Sequence, residues 1–156
     1  MDTGELLIQR TDPAESDAAA MVLAMEEEIE ALYADRPGSI HSVGATAAEM
    51  SAPLGGFLLV LSGDRAVGCG GFKRLDPWTC EIKRMYLSPE ARGRGLSTRL
   101  LAALESQARE LGYVRARLDT GDRQPAAKRL YEGAGYRRIA DYNANTMASL
   151  WFEKAL

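Results

Sequence analysis

EIKRMYLSPEARGRGLSTRLLAALE, residues 81–105, decides how this chain folds. Its first third reads as a strand that is halted at Ser88-Pro89. From Leu96 the apolar positions Leu96, Leu100, Leu104, Ala108 and Leu111 recur at helical spacing, and Gly112 supplies a helix stop. Gly93 and Gly95 stand where that helix begins, so several backbone N–H groups are left unpaired and uncovered by side chains. Together with the helix dipole they make an anion site. Arg92 and Arg94 add positive charge beside it, so the expected ligand carries phosphate. RGRG alone is weak evidence, because glycine-arginine turns also precede helices for structural reasons.

Downstream, VRARLDT (114–120) is a further strand, and strand, crossover helix, strand implies a right-handed parallel unit. Upstream, FLLVL, the turn Ser62-Gly63-Asp64-Arg65, AVGCGGFKRL, the turn Asp76-Pro77-Trp78 and TCEIKRMYL form an antiparallel meander over residues 56–87. The predicted fold class is therefore α/β with a mixed sheet. Gly68, Gly70 and Gly71 in the middle strand predict a bulge or a close backbone approach. A short helix from Gln124 to Glu132 ends at Gly133-Ala134-Gly135, and YRRIA and ASLWFEK close the sheet. At the other end, ELLIQR (5–10) reads as an opening strand. Asp12-Pro13-Ala14-Glu15 carries a helix-start pattern, with Asp12 as cap, Pro13 in the first turn and Glu15 reaching back. Ala18, Val22, Met25, Ile29 and Leu32 then make one apolar face, to about Tyr33. Residues 35–55 read as a loop around a short helix at 45–50.

A length of 156 residues, 46% of them hydrophobic and 26% charged, suits one domain over 1–156 with a single core. A formal net charge of −3 argues against nucleic acid as the main partner. No apolar run approaches the ~20 residues that span a bilayer, and the N-terminus lacks a signal-peptide pattern, so the expectation is a cytoplasmic protein without a membrane partner. Cys69 and Cys80 lack CxxC spacing, and His41 is the only histidine, so no metal site and two buried reduced thiols are expected. The acidic run Glu26, Glu27, Glu28 and Glu30 reads first as a solvated helix face.

Two familiar phosphate motifs fail. No Gly-Lys-Ser or Gly-Lys-Thr occurs, which excludes a P-loop. A dinucleotide fingerprint starts at Gly93 and Gly95 and has an acid at Asp119, but Thr98 stands where its third glycine belongs and the repeated parallel array is missing.

Residues 57–140 resemble the GNAT superfamily of N-acyltransferases. Arg92-Gly93-Arg94-Gly95-Leu96-Ser97 is similar to that family's phosphate motif, with Ser97 in place of its usual glycine or alanine. QPAAKRLYEGAGYRRI (124–139) is similar to a second family signature, with Gln124 in place of the usual asparagine. The resemblance implies a mostly antiparallel sheet, flanked by helices, whose central strand pair splays apart after Leu87. Acetyl-CoA is the implied co-substrate, with no metal. Its pyrophosphate would lie on Arg92 to Thr98. Its pantetheine arm would pair with the backbone of Met85, Tyr86 and Leu87 and run past Gln124 and Lys128. Tyr131 would face the sulfur and protonate the leaving thiolate. Glu81, six residues before Leu87, would be the general base, although on residues alone it is an ordinary strand partner for a basic side chain such as Lys83.

The acceptor would lie among residues 25–50 and 141–150, with Glu30, Tyr33, Tyr142 and Asn143 as its candidate contacts. Polar and acidic side chains there, joined by Glu26, Asp35, Asp141 and Asn145, predict a small cationic or zwitterionic primary amine. A protein or peptide acceptor and a non-catalytic acyl-CoA sensor are the alternative readings. Monomer and homodimer both remain open.

Overall fold

Alternating and continuous apolar runs build most of the sheet in the computed structural model, which describes residues 5–36 and 45–156. The strands are β1 (Leu6–Arg10), β2 (Gly56–Ser62), β3 (Arg65–Asp76), β4 (Thr79–Leu87), β5 (Arg115–Thr120), β6 (Arg137–Ile139) and β7 (Leu150–Ala155). The helices are α1 (Ser16–Leu32), α2 (Leu96–Glu110) and α3 (Pro125–Gly133). The strands form one sheet in the order β1-β2-β3-β4-β5-β7-β6, in which only the β4–β5 pair is parallel. His41 lies outside the described residues.

Side-chain alternation sorts the core into two layers. Leu58, Val60, Phe72, Ile82, Leu118 and Phe152 meet Leu100, Leu101 and Leu104 of α2 on one face. Phe57, Leu59 and Cys69 meet Ala18 of α1 and Met50 on the other. Each fully buried leucine contributes about 2 kcal/mol of burial free energy, so the α2 layer is the main anchor of the sheet.

Two local expectations change. Asp12 does not cap α1: its Oδ1 accepts from the Ala14 N–H at 2.9 Å and its carbonyl from the Glu15 N–H at 3.0 Å. That closes an independent turn, and the helix begins only at Ser16. Residues 45–50 are turns rather than a helix; Thr46 and Glu49 bond each other's backbone and side chain, which closes the turn locally.

The feature that makes the site is a break between β4 and β5. They pair only at Thr79↔Arg115, Cys80↔Ala116 and Glu81↔Arg117. The splay thus opens at Ile82, several residues before Leu87. Its cause lies in β4 itself. Between Gly71↔Lys83 and Cys69↔Tyr86, two steps of β3 face three of β4, and the extra residue is accommodated by Arg84 at φ 61. Gly70 opposite has no side chain because a Cβ there would fall 2.8 Å from Leu104 Cδ1 of α2. The predicted bulge and close approach are both present.

Candidate active site

β4 ends in a 3₁₀ turn, Pro89–Ala91, tied to β3 by Ser88, whose N–H and hydroxyl both donate to Val67 O at 2.9 Å. Gly93 and Gly95 then adopt φ 77 and φ 73, and a Cβ on either would project into open space. This left-handed path, cheap only for glycine, turns the backbone into α2 with its amides outward. Among the described residues no hydrogen bond ends on the N–H groups of Gly93 to Thr98. Those uncapped donors, at the positive end of a 15-residue helix, suit a phosphate group.

Arg92 is engaged otherwise than expected. Its Nε donates to Leu87 O at 3.0 Å and its Nη2 contacts Glu28 of α1 at 2.6 Å, so its charge is already shared with a carboxylate. Arg94 is exposed and donates to Glu90 O. The backbone, more than the arginines, presents the positive potential.

A cavity of about 410 Å³ runs from this cradle along the open edge of β4 to Tyr131. It is walled by Met85, Tyr86, Leu87, Arg92, Gly93, Gly95, Leu96, Ser97 and Gln124, all predicted coenzyme contacts, with Ile29 and Leu32 of α1 opposite. Arg94, Thr98 and Lys128 do not line it. Lys128 is exposed, 3.9 Å from Glu132 one turn on. Gln124 leaves α3 uncapped; its Oε1 instead accepts from Gly121 N–H at 3.3 Å and holds the β5–α3 loop.

A second cavity of about 160 Å³ opens where β4 and β5 part, lined by Lys83, Arg84, Asp119, Thr120 and Asn145 among others. Met85, Gln124 and Tyr131 belong to both linings. Tyr131 thus stands at the junction, 7% exposed, with its Oη 3.9 Å from Met85 Sδ. Burial, reinforced by Asp119, raises its pKa, so the hydroxyl keeps its proton at neutral pH.

Glu81 is fully buried and lines neither cavity. Its Oε2 accepts from Tyr142 Oη at 2.6 Å and Asn143 Nδ2 at 3.2 Å, while Lys83 Nζ lies 3.2 Å from Oε1. Asn143 Nδ2 also donates to Asp119 at 2.5 Å, and Lys83 stands 3.6 Å from the same carboxylate. Glu81 is therefore one layer behind the polar cavity, connected to it through Lys83 and Asn143. Burial, with the neighbouring Glu81 charge, raises the Tyr142 hydroxyl and keeps it a donor.

The four predicted acceptor contacts fall outside the lining. Glu30 is exposed on α1. Tyr33 is buried, accepts from Arg123 N–H at 3.2 Å, and sits between the Arg36 and Arg123 guanidiniums, which fasten the end of α1 to the β5–α3 loop. Tyr142 and Asn143 hold Glu81. The acids expected nearby are also spent elsewhere: Asp35 pairs with Arg123, and Asp141 caps its own turn. Lys83 and Arg84 are the contributors that composition and spacing did not single out for the acceptor.

Residues 22–136 match the acetyltransferase (GNAT) family. The chain belongs to this family. Among its GNAT relatives, an uncharacterised N-acetyltransferase of Bacillus subtilis is 35% identical over 112 residues, covering 68% of this chain and 72% of that one. An IAA acetyltransferase of Azospirillum brasilense is 33% identical over 104 residues, covering 64% and 67%. An acyl-CoA N-acyltransferase structure from Klebsiella pneumoniae superposes with a TM-score of 0.76 at 29% identity, covering 97% of each chain. An N-acetyltransferase of Thermoplasma acidophilum solved with coenzyme A shares the fold at a TM-score of 0.74 and 16% identity, over 97% of this chain and 99% of that one. The expected GNAT fold, mixed and mostly antiparallel with a splayed central pair, is the one observed, and the chain is an acyl-CoA-dependent N-acyltransferase. Among the described residues no helix is long and apolar enough to cross a membrane, and no cluster of His, Cys, Asp or Glu could hold a metal ion.

Proposed function

We propose that this chain moves the acetyl group of acetyl-CoA to the primary amine of a small molecule in the cytoplasm, acting as a single domain. The observation that carries the reading is the meeting of the two cavities at Tyr131: a long one with uncapped backbone donors at its far end, and a small polar one beside it. The residues fit the coenzyme. Gly93 to Thr98 offer N–H donors to the pyrophosphate, and the unpaired edge of β4 at Met85 to Leu87 offers backbone partners to the pantetheine amides. A volume of about 160 Å³ suits a metabolite-sized acceptor.

An alkylamine with a pKa of about 10.4 is mostly protonated at pH 7, so a base is needed. Glu81 takes that proton through water. The neutral nitrogen attacks the thioester carbon, a backbone N–H near Leu87 steadies the oxyanion, the C–N bond forms, and the C–S bond breaks with its electron pair on sulfur. Tyr131 donates its proton to that sulfur, and the second proton of the acylated nitrogen passes back to the tyrosinate, which leaves a neutral amide, a neutral thiol and a restored tyrosine. Transfer is direct. Cys69 and Cys80 are free, buried and pushed up to about 12 by desolvation, so neither supplies a thiolate to carry the acetyl group.

The test is a panel of primary amines and short peptides incubated with acetyl-CoA, reading free CoA thiol and the acetylated product by mass spectrometry. One thiol per acetylated small amine is expected. Faster acetylation of peptides than of every free amine would overturn the small-molecule reading.

A further inference from the structure

Successive residues of a strand point to opposite faces, yet Lys83 and Arg84 both line the polar cavity. The bulge is responsible: at φ 61 Arg84 has a left-handed backbone that an arginine adopts only when its surroundings hold it there. Its guanidinium is tethered at its outer nitrogens. Nη1 stands 3.5 Å from Glu26 Oε1, on a side chain 47% exposed, and Nη2 donates to Ala45 O at 3.3 Å. Its Nε is buried and has no hydrogen-bond partner. A buried N–H of a cation without an acceptor is costly, which marks it as a donor awaiting a ligand.

The charges around the cavity agree. Its lining holds two cations, Lys83 and Arg84, and one carboxylate, Asp119. Asp119 already receives Asn143, Asn145 at 3.2 Å and Lys83. Lys83 is shared between Asp119 and Glu81. Glu26, outside the lining on α1, weakens the Arg84 charge only through a long, solvated contact. Of the two cations in the lining, Arg84 is the one not held between two carboxylates.

We infer that Arg84 binds a carboxylate of the acceptor, so that the acceptor is an amino acid or another small amine bearing a carboxylate. The Nε–H with an adjacent Nη–H forms the two-pronged donor that a carboxylate matches. With the carboxylate held there, the amine extends towards Tyr131 and the coenzyme cavity. This inference rests on the polar cavity being the acceptor site, as proposed above, and narrows the cationic or zwitterionic amine expected from the sequence to a zwitterionic one.

Matched pairs test it: tyrosine with tyramine, lysine with cadaverine, histidine with histamine. Turnover with acetyl-CoA is measured for the wild type, Arg84→Gln and Arg84→Lys, and each amino acid is titrated calorimetrically into the protein with CoA. The wild type should favour the preferred amino acid over its decarboxylated partner in kcat/KM by about tenfold or more, and Arg84→Gln should lose most of that ratio. Arg84→Lys, which keeps the charge without the fork, should fall between. Equal use of both members of every pair, or a ratio unchanged in Arg84→Gln, overturns the inference while leaving amine acetylation standing. If no amine turns over but an amino acid binds and Arg84→Gln abolishes that binding, the carboxylate site stands and the acetyl-transfer reading fails. Neither turnover nor binding of any pair removes both.

Discussion

The larger cavity takes much of its wall from one continuous stretch, Met85 to Ser97, which includes the uncapped N–H groups at the start of α2; the smaller takes Lys83, Asp119 and Asn145 from three separate segments. The first side offers amides whose direction is fixed by the φ of two glycines. On the second, each group is held by another: Tyr142 and Asn143 hold Glu81, and Asn143 in turn accepts Trp151 Nε1–H at 2.9 Å. A backbone site tolerates exchange of its side chains, whereas a networked site transmits any one loss to its neighbours. Mutations should therefore separate cleanly: those on the α2 side change coenzyme affinity, and those on the polar side change turnover.

The strongest attempt to break this division is Gly95→Val. A branched side chain at φ 73 is strained, and it fills open space in front of the amides, where the proposed placement puts the pyrophosphate. We expect acetyl-CoA affinity to fall roughly a thousandfold by calorimetry, about 4 kcal/mol; an unchanged affinity would refute the placement.

Glu81→Gln should lower kcat by about 10²-fold with acetyl-CoA affinity intact. A kcat equal to that of the wild type would reduce Glu81 to a structural partner of Tyr142.

Tyr131→Phe probes the junction itself. CoA thiolate is already a fair leaving group, so kcat should drop about tenfold rather than vanish. Wild-type turnover in this variant would leave the ring as packing against Tyr136 and Phe152. The smallest effect is expected for Tyr142→Phe, which strips one donor from a buried carboxylate: a loss of roughly 1–2 kcal/mol in denaturant unfolding, with no change in acetyl-CoA affinity. A weakened coenzyme affinity here would contradict the separation of the two sides.

The same contrast explains what could be read in the sequence. The order of strands and helices follows from local periodicity, and the cradle from Gly93 and Gly95, because a left-handed turn before a helix needs glycine at fixed positions. The true start of the splay was hidden, since the residue that bends β4 is Arg84, which carries no local signal of a bulge; the signal lay across the ladder in Gly68, Gly70 and Gly71. Tyr33 and Glu30 suggested an acceptor contact only by lying on the right helix, and the fold turns Tyr33 into the clasp between Arg36 and Arg123. Lys83 and Arg84 were in plain view within the deciding stretch. Their convergence on one cavity depends on a broken alternation that residue types do not reveal.

The central claim is that the coenzyme's sulfur comes to rest at Tyr131, where the two cavities meet. A crystal structure of the protein with CoA tests it most directly. The account predicts the pyrophosphate on the N–H groups of Gly93 to Thr98 and the sulfur within hydrogen-bond reach of Tyr131 Oη, facing Lys83 and Asp119. A coenzyme seated away from the α2 N-terminus, or a sulfur turned away from the polar cavity, would contradict it.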